Sequence, residues 1–180
     1  HAIGYGDDPW TERALASFAL EELTLATTFQ EPTLLLVPET SFASKVAAID
    51  AHKKEGQVDT YQDDLYKKSD SGSEKVTGWK AVIVDGAKEM PIREGDDVKL
   101  KFAERIENRK AARRPGERGM ERHAYALLMM ESLRGPEPID KNTYTLLDGD
   151  PAALPGSAVP DAGWGGDRVY FGARYPGYVS

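Results

Sequence analysis

Carboxylate side chains are the most abundant groups in this sequence that could do chemistry, since 30 of its 180 residues are Asp or Glu. In the segment LLDGDP, Asp148 and Asp150 have the alternate spacing that two oxygen ligands of Ca²⁺ or Mg²⁺ can use. The other ligands of a complete calcium-binding loop are missing from the sequence around them. The pair is therefore a candidate metal site with Ca²⁺ as its possible cofactor. The competing interpretation is a turn, in a protein that uses no cofactor.

Histidine and nucleophilic side chains form no catalytic motif. His1, His52 and His123 are far apart in the sequence and make no metal-ligand pair. His123 and Glu121 lie two residues apart on a predicted helix and point to different faces, so we interpret His123 as a satisfied core residue. No serine lies in a hydrolase or phosphate-binding motif, and the sequence contains no cysteine. These features predict a protein that is not an enzyme.

The segment DAGWGGDRVYFGARYPGYVS (161–180) has the composition of a binding surface. It combines rigid aromatic rings, two arginines and glycines that permit unusual turns, the residue types of interface hot spots and antibody combining sites. Strand alternation in DRVYF places Arg168 and Tyr170 on one face and Val169 and Phe171 on the other, so one face can pack on the core while the other meets a partner. The competing interpretation is a tail that packs onto its own domain. The predicted ligand-binding residues are Trp164, Arg168, Tyr170, Arg174, Tyr175 and Tyr178.

The charge pattern argues against a nucleic-acid partner. The net charge of −7 repels phosphate backbones, so binding would require a concentrated basic patch. The segment ERIENRKAARRPGERGMER (104–122) is the candidate, but glutamates alternate with its basic residues at salt-bridge spacing and no aromatic residue is present for base stacking. We interpret this segment as a solvated helix and turn.

Hydropathy gives no indication of a membrane partner. The longest apolar runs, AYALLMM and TLLLVP, are much shorter than the roughly 20 residues of a membrane-spanning helix. No basic segment followed by an apolar one opens the sequence as a secretory signal would. A cytoplasmic or virion-associated location is therefore favoured over a membrane location.

Helices mixed with short, separated strands and long irregular connections predict an α+β fold in a single domain, 1–180. The segment 56–78 is expected to be rich in loops. Predicted helices are 6–23, 41–54 with Phe42, Val46 and Ile49 inward, 96–114 with Val98, Phe102 and Ile106 inward, and 117–135, buried on more than one side. Predicted strands are a short buried one at 32–38 and others at 79–84, 143–147 and 168–172.

Residues 116–180 resemble C-type-lectin-like domains of phage and bacterial proteins, especially variable proteins diversified by retroelements. The likeness rests on RHAYALLMMESLRGPEPIDKNTYTLLDGD, a Pro/Gly connection, and then the pattern W–GGDRVYF–ARYPG. It implies a mixed α/β fold with little regular secondary structure, a display surface for a protein or glycan ligand, and no catalysis. Residues 1–115 would form an N-terminal helical and strand part of the same domain, outside the resemblance.

The resemblance also implies which positions face the ligand. Carried over by position, they are Ala162, Gly163, Gly165, Gly166, Tyr170, Gly172, Ala173, Arg174, Tyr175 and Tyr178. It further implies one more strand after the variable region; without that strand the sheet would have an exposed edge.

Two other functions stay open from the sequence. The first is a structural component of a phage or other assembly, whose tail docks onto a neighbouring subunit. The second is a carboxylate-dependent metal enzyme that uses Asp148, Asp150 or His123. The sequence leaves the oligomeric state open.

Overall fold

The computed structural model describes residues 29–64, 79–87, 100–149, 158–175 and 177. The predicted helix 6–23, the inward position Val98 and the candidate residues Asp150 and Tyr178 lie outside these ranges. The described elements form a mixed α+β architecture, as predicted. In chain order they are β1 (Pro32–Val37), α1 (Phe42–Ala51), β2 (Tyr61–Gln62), β3 (Lys80–Asp85), α2 (Phe102–Ala111), α3 (Arg122–Leu133), β4 (Tyr144–Leu146), β5 (Val159–Gly165) and β6 (Arg168–Arg174).

Strands β1 and β3 pair antiparallel in a two-stranded sheet. Leu35 and Val37 of β1 are buried, whereas Leu34 before them is 39% exposed and Leu36 between them is half-buried. The predicted strand is therefore present, but the prediction of a buried strand holds for only one of its faces, because alternation turns every second side chain outward. At the end of β3, the Asp85 carboxylate accepts hydrogen bonds from the N–H groups of Gln30, Glu31 and Ala87.

Helix α1 begins at a serine cap and buries the predicted face. The Ser41 hydroxyl accepts a hydrogen bond from the Ser44 N–H, which satisfies one of the first-turn donors. Phe42, Val46 and Ile49 are buried, as predicted.

Lys45 is also buried on this face, which the hydropathy pattern did not predict. Its ammonium group donates to the Pro38 carbonyl and to both the carbonyl and hydroxyl oxygens of Thr40. These three bonds satisfy all its donors and close the turn between β1 and α1. Burial lowers the pKa of Lys45 to about 8.

Helix α3 is the centre of the core. Residues 122–130 are all buried, which confirms the prediction of burial on more than one side. The helix contacts α1 and β1. On the side of the larger sheet, the Phe171 ring of β6 makes edge contacts with Tyr125 and with Phe42, at centroid distances of 6.0 and 4.9 Å.

The predicted start of α3 at Glu117 is wrong, because the chain first makes a turn and a close backbone contact. The Glu117 N–H donates to the Arg114 carbonyl across Pro115 and Gly116, and Gly116 has φ +85°. This geometry fits a type II turn. The Gly149 N–H then donates to the Met120 carbonyl, so residues 117–121 bond to the turn after β4 before the helix begins.

Replacing Gly149 by alanine should lower the free energy of unfolding by about 2–3 kcal/mol, because an added Cβ would overlap the carbonyl group of Gly119. A shift of the backbone at Gly149 or at Gly119 would break the hydrogen bond from the Gly149 N–H to the Met120 carbonyl. Urea unfolding measures the change. Gly177→Ala is the control, since a Cβ there meets nothing within 4 Å; equal stabilities for the two variants would contradict the prediction.

Helix α2 begins later than predicted. Its N-cap is Lys101, whose N–H donates to the Glu104 carboxylate, and Leu100 is not helical. The predicted start at residue 96 belongs to a segment outside the described residues. Ile106 is buried, as predicted.

The larger sheet has the order β2–β6–β5–β4, and one of its two inner strands, β5, is missing from the sequence predictions. The segment VPDAGWG contains Pro160 and three glycine or alanine residues, a composition that is typical of a loop. The Pro160 carbonyl accepts from the Leu147 N–H at 2.9 Å. Because a strand residue points both its polar groups to the same side, the missing N–H of Pro160 faces the β4 side and leaves the β5–β6 ladder intact.

Strands β5 and β6 form a hairpin with a two-residue loop. Gly165 pairs with Arg168, so Gly166 and Asp167 make the turn. Gly166 has φ +68°, and glycine in the first loop position is typical of a type II′ turn, which matches the twist of the strands.

The outer edge of β6 is covered by residues 58–63. Strand β2 pairs parallel to β6, with Tyr61 beside Tyr170. The N–H groups of Val58 and Asp63 donate to the carbonyls of Asp167 and Phe171. The exposed edge that the resemblance implied for β6 is therefore paired by an earlier part of the chain. No described helix is long and apolar enough to cross a membrane.

Candidate functional site

Alternation in β6 divides the predicted binding residues between two faces of the sheet. Val169 and Phe171 are buried in the main core, whereas Arg168 and Tyr170 are half-buried on the opposite face. This division confirms the prediction made from DRVYF. We call the opposite side the outer face; its residues on the three strands β2, β6 and β5 are Tyr61, Arg168, Tyr170, Gly172, Arg174, Val159, Asp161, Gly163 and Gly165.

Tyr170 lies against the glycines of β5. A Cβ built on Gly163 would come within 3.1 Å of the Tyr170 ring, and one on Gly165 within 3.3 Å. The glycines thus leave room for the ring to lie across the sheet. Burial, and secondly the charge of Asp161, raises the pKa of Tyr170 to about 12. The phenol therefore stays neutral at physiological pH and can donate a hydrogen bond.

Tyrosines extend this surface across the sheet. Tyr61 pairs with Tyr170, and Gly163 pairs with both Tyr170 and Tyr144. Paired residues share a face, so these four residues form one row across all four strands. Tyr61 is 47% exposed.

Arg174 is tied into the sheet. Its Nε donates to the buried Asp161 carboxylate at 2.7 Å, and its guanidinium lies 4.6 Å from the centre of the Tyr144 ring. Burial is the largest influence on the pKa of Asp161 and raises it, while Arg174 acts in the opposite direction. A third of the Arg174 side chain stays exposed. The residue is thus both a structural partner of Asp161 and part of the outer face.

Helix α2 covers the β4 side of the outer face. Ile106 and Leu146 are buried together, with Tyr144 and Val159 packed against them. Arg105, also buried, donates to the Tyr144 hydroxyl at 3.0 Å. The open part of the outer face therefore lies over β2, β6 and the glycine end of β5.

The other predicted residues are separated from this row. Trp164 pairs with Val169, so it lies on the core face; it packs against the main core, and its indole N–H donates to the Gly166 carbonyl. Arg168 is 42% exposed and its Nε donates to Asp167. Tyr175, just beyond β6, is 55% exposed.

Two positions that the resemblance implied to be ligand-facing lie on the core side. Ala162 is fully buried in the main core, and Ala173 packs against it. That expectation is wrong for both, because the register of β5 and β6 turns them inward. Gly163, Gly165 and Gly172 lie on the outer face, and Gly166 in the exposed turn.

The candidate metal ligand Asp148 is occupied by an arginine. Its side chain is 4% exposed and accepts a hydrogen bond from Arg113 Nη2 at 2.6 Å. A cation would have to displace this guanidinium. Among the described residues no group of three His, Asp or Glu side chains could hold a metal ion.

His123 is a core residue, but it is not a satisfied one. It is 8% exposed, and its Nδ1 has no hydrogen-bond partner in the described part of the chain. Glu131, at the far end of α3, is exposed and pairs with Arg134. The structure therefore brings His123 and Glu131 into no common site.

The segment 104–122 is the solvated helix and turn that we predicted over most of its length, but two of its arginines are not at the surface. Arg105 and Arg122 are buried, with the Arg122 guanidinium 5.1 Å from the centre of the Phe42 ring. Their aliphatic stems pack while their charged heads meet a hydroxyl or a ring. Arg113 is held by Asp148, whereas Arg114 and Arg118 are exposed.

The sequence interpretation missed Asp140, which organises the sheet behind the outer face. Asp140 is fully buried at φ +50°, and its carboxylate accepts hydrogen bonds from the hydroxyls of Tyr125, Thr143 and Thr145 at 2.6–2.8 Å. Its carbonyl accepts from the Trp164 N–H. Asp140 therefore ties α3, β4 and β5 together. The spacing Asp-x-x-Thr-x-Thr was the available signal.

No protein-family model matches this sequence, and no curated protein or solved structure shows significant similarity to it.

Proposed function

We propose that this protein is a non-enzymatic binding protein whose outer face, around Tyr61, Arg168 and Tyr170, engages a partner protein or glycan. The observation that supports the proposal most is the row of tyrosines across the sheet, with Tyr170 lying over glycines. Rigid aromatic rings supply contact area at low entropic cost, and tyrosine hydroxyls and arginines add directed hydrogen bonds.

The rigidity of the sheet favours binding by a preorganised surface. Tyr61 and Tyr170 are on paired strands, and Asp161 and Tyr144 hold Arg174 from beneath. A partner would therefore order few side chains on contact, which reduces the entropic cost of association. A C-type-lectin-like display module, as the resemblance implies, is the finer form of this proposal.

A triple variant with Tyr61→Ala, Arg168→Ala and Tyr170→Ala tests the proposal. The wild-type protein is screened against a glycan array and a peptide display library, and the recovered ligand is titrated against the variant. We expect its affinity to fall by at least about 30-fold, as for removal of an interface hot spot. Arg174 is left in place, because its removal would leave the buried Asp161 carboxylate without this partner.

The matched control replaces exposed residues elsewhere, with Leu34→Ala, Arg134→Ala and Lys141→Ala. It should bind the ligand like the wild type. Two results would reject the proposal: recovery of no ligand from either screen, or a ligand that the outer-face variant binds as well as the wild type does.

A further inference from the structure

A second, basic surface lies at the end of α2 and in the turn that follows. Arg109, Arg114 and Arg118 lie within ten consecutive residues, and Arg114 and Arg118 are exposed. None of the three forms an ion pair or side-chain hydrogen bond with the described residues. Lys110 beside them is exposed and pairs with Glu107. We call Arg109, Lys110, Arg114 and Arg118 the arginine turn.

The backbone beneath the arginine turn is fixed. Arg114 and Glu117 close the turn through two bonds: the Glu117 N–H to the Arg114 carbonyl, and the Arg114 N–H to the Glu117 carboxylate. Arg113 is anchored to Asp148 on one side, and Gly119 abuts Gly149 on the other. Exposed guanidinium groups are therefore presented from a preorganised scaffold.

The like charges of Arg114 and Arg118, four residues apart in the chain, repel one another, and no ion pair or side-chain hydrogen bond with the described residues offsets that repulsion. A cation in the last turn of a helix is favoured by the helix dipole, which accounts for Arg109 and Lys110. Arg114 and Arg118 lie beyond the helix, where that effect has ended. An anionic partner would relieve the repulsion, which points to a binding role.

Three observations select the class of partner. The whole chain carries a net charge of −7, so repulsion outside the arginine turn grows with the length of an anionic ligand and favours a short acidic segment over a long polyphosphate. Residues 109–118 include no aromatic side chain for stacking on bases and no large apolar one for insertion into a membrane. Three of the four cations are arginines, whose forked donors match carboxylates in two-point contacts.

We propose that the arginine turn binds an acidic, carboxylate-rich segment of a partner protein. The contact is electrostatic and does not involve the outer face. It should weaken when salt screens the charges, since the screening length falls from about 10 Å at 0.1 M to about 3 Å at 1 M.

The test measures binding of a fluorescein-labelled oligo-glutamate peptide by anisotropy at low salt. The variant Arg109→Gln, Arg114→Gln, Arg118→Gln should bind about tenfold more weakly, the combined effect of three exposed ion pairs. The variant with lysine at the same three positions should bind the peptide more weakly than the wild type and more tightly than the glutamine variant. It keeps the positive charges but loses the forked donors of the guanidinium groups. Thermal unfolding of both variants should stay close to the wild type, since these side chains make no described ion pair, and in the glutamine variant the lost helix-dipole interaction of Arg109 is offset by the relief of repulsion.

The matched control removes three charges elsewhere, with Lys53→Gln, Arg134→Gln and Lys141→Gln, and should bind the peptide like the wild type. A single-stranded oligonucleotide of equal charge and phosphatidylserine vesicles are titrated in parallel. Absence of peptide binding would overturn the proposal, and so would equal weakening by the control. Tighter binding of the oligonucleotide or the vesicles at the same salt, lost in the glutamine variant, would assign the arginine turn to that other class of partner and equally overturn it.

Discussion

Replacing Asp140 by alanine should lower the free energy of unfolding by about 4 kcal/mol. The substitution leaves the hydroxyls of Tyr125, Thr143 and Thr145 without the acceptor that all three share. Each bond to a charged group is worth about 1.5–3 kcal/mol, and the three losses overlap because they belong to one network. Alanine also tolerates φ +50° less well than aspartate does.

Asp140→Asn is the matched variant for this prediction. It keeps the shape of the side chain and the tolerance for positive φ. Its amide oxygen can take the place of Oδ2, which accepts from Tyr125 and Thr145, while its NH₂ group can donate to the Thr143 hydroxyl. We expect a loss of about 1–2 kcal/mol in urea unfolding. A loss below about 1 kcal/mol for the alanine variant would show that the network contributes little to stability.

This network illustrates what the sequence could and could not reveal. Two of the three donors, Thr143 and Thr145, are close to Asp140 in the chain and their spacing was visible. Tyr125 is fifteen residues earlier on α3, and only the packing of the helix against the sheet brings it to Asp140. The local spacing therefore indicated the segment around Asp140. That Asp140 joins the helix to the sheet could be seen only in the tertiary structure.

Strand predictions succeeded where one face of the strand is apolar. In β6, alternation correctly separated Val169 and Phe171 from Arg168 and Tyr170, because one face packs on the core. In β5 the alternation of apolar and polar side chains is weak because of Pro160 and the glycines. The alternation rule therefore did not identify this strand. Because β5 was not predicted, its register with β6 was unknown. The placement of Trp164 on the core face could therefore not be predicted either.

Charge was a poor guide to exposure in the helices. Lys45, Arg105 and Arg122 are all buried, although each was expected at the surface or left unassigned. Long side chains bury their stems, and their charged ends contact groups that sequence spacing does not show, such as the Phe42 ring beside Arg122. The Arg105 partner Tyr144, for example, is 39 residues away.

His123 should make the protein unstable in acid. Burial, and secondly the positive charges of Lys45, Arg122 and Lys80, lower its pKa from 6.5 to about 3. Between pH 6.5 and 3 the unfolded chain binds a proton at this imidazole that the native protein does not bind. Stability therefore falls as the pH decreases through this window, by an amount on the order of 4–5 kcal/mol.

The variant His123→Leu isolates this contribution, because the titration of all carboxylates is common to both proteins and cancels in the difference. Its unfolding free energy should decline less than that of the wild type between pH 6.5 and 3, and the two curves should run parallel above pH 7.5. His52→Gln controls for the loss of an imidazole elsewhere in the chain. Parallel curves over the whole range would mean that the native protein protonates His123 as readily as the unfolded chain does. A proton would then have to be accepted among Lys45, Arg122 and Phe42 at no cost, which burial at 8% exposure opposes.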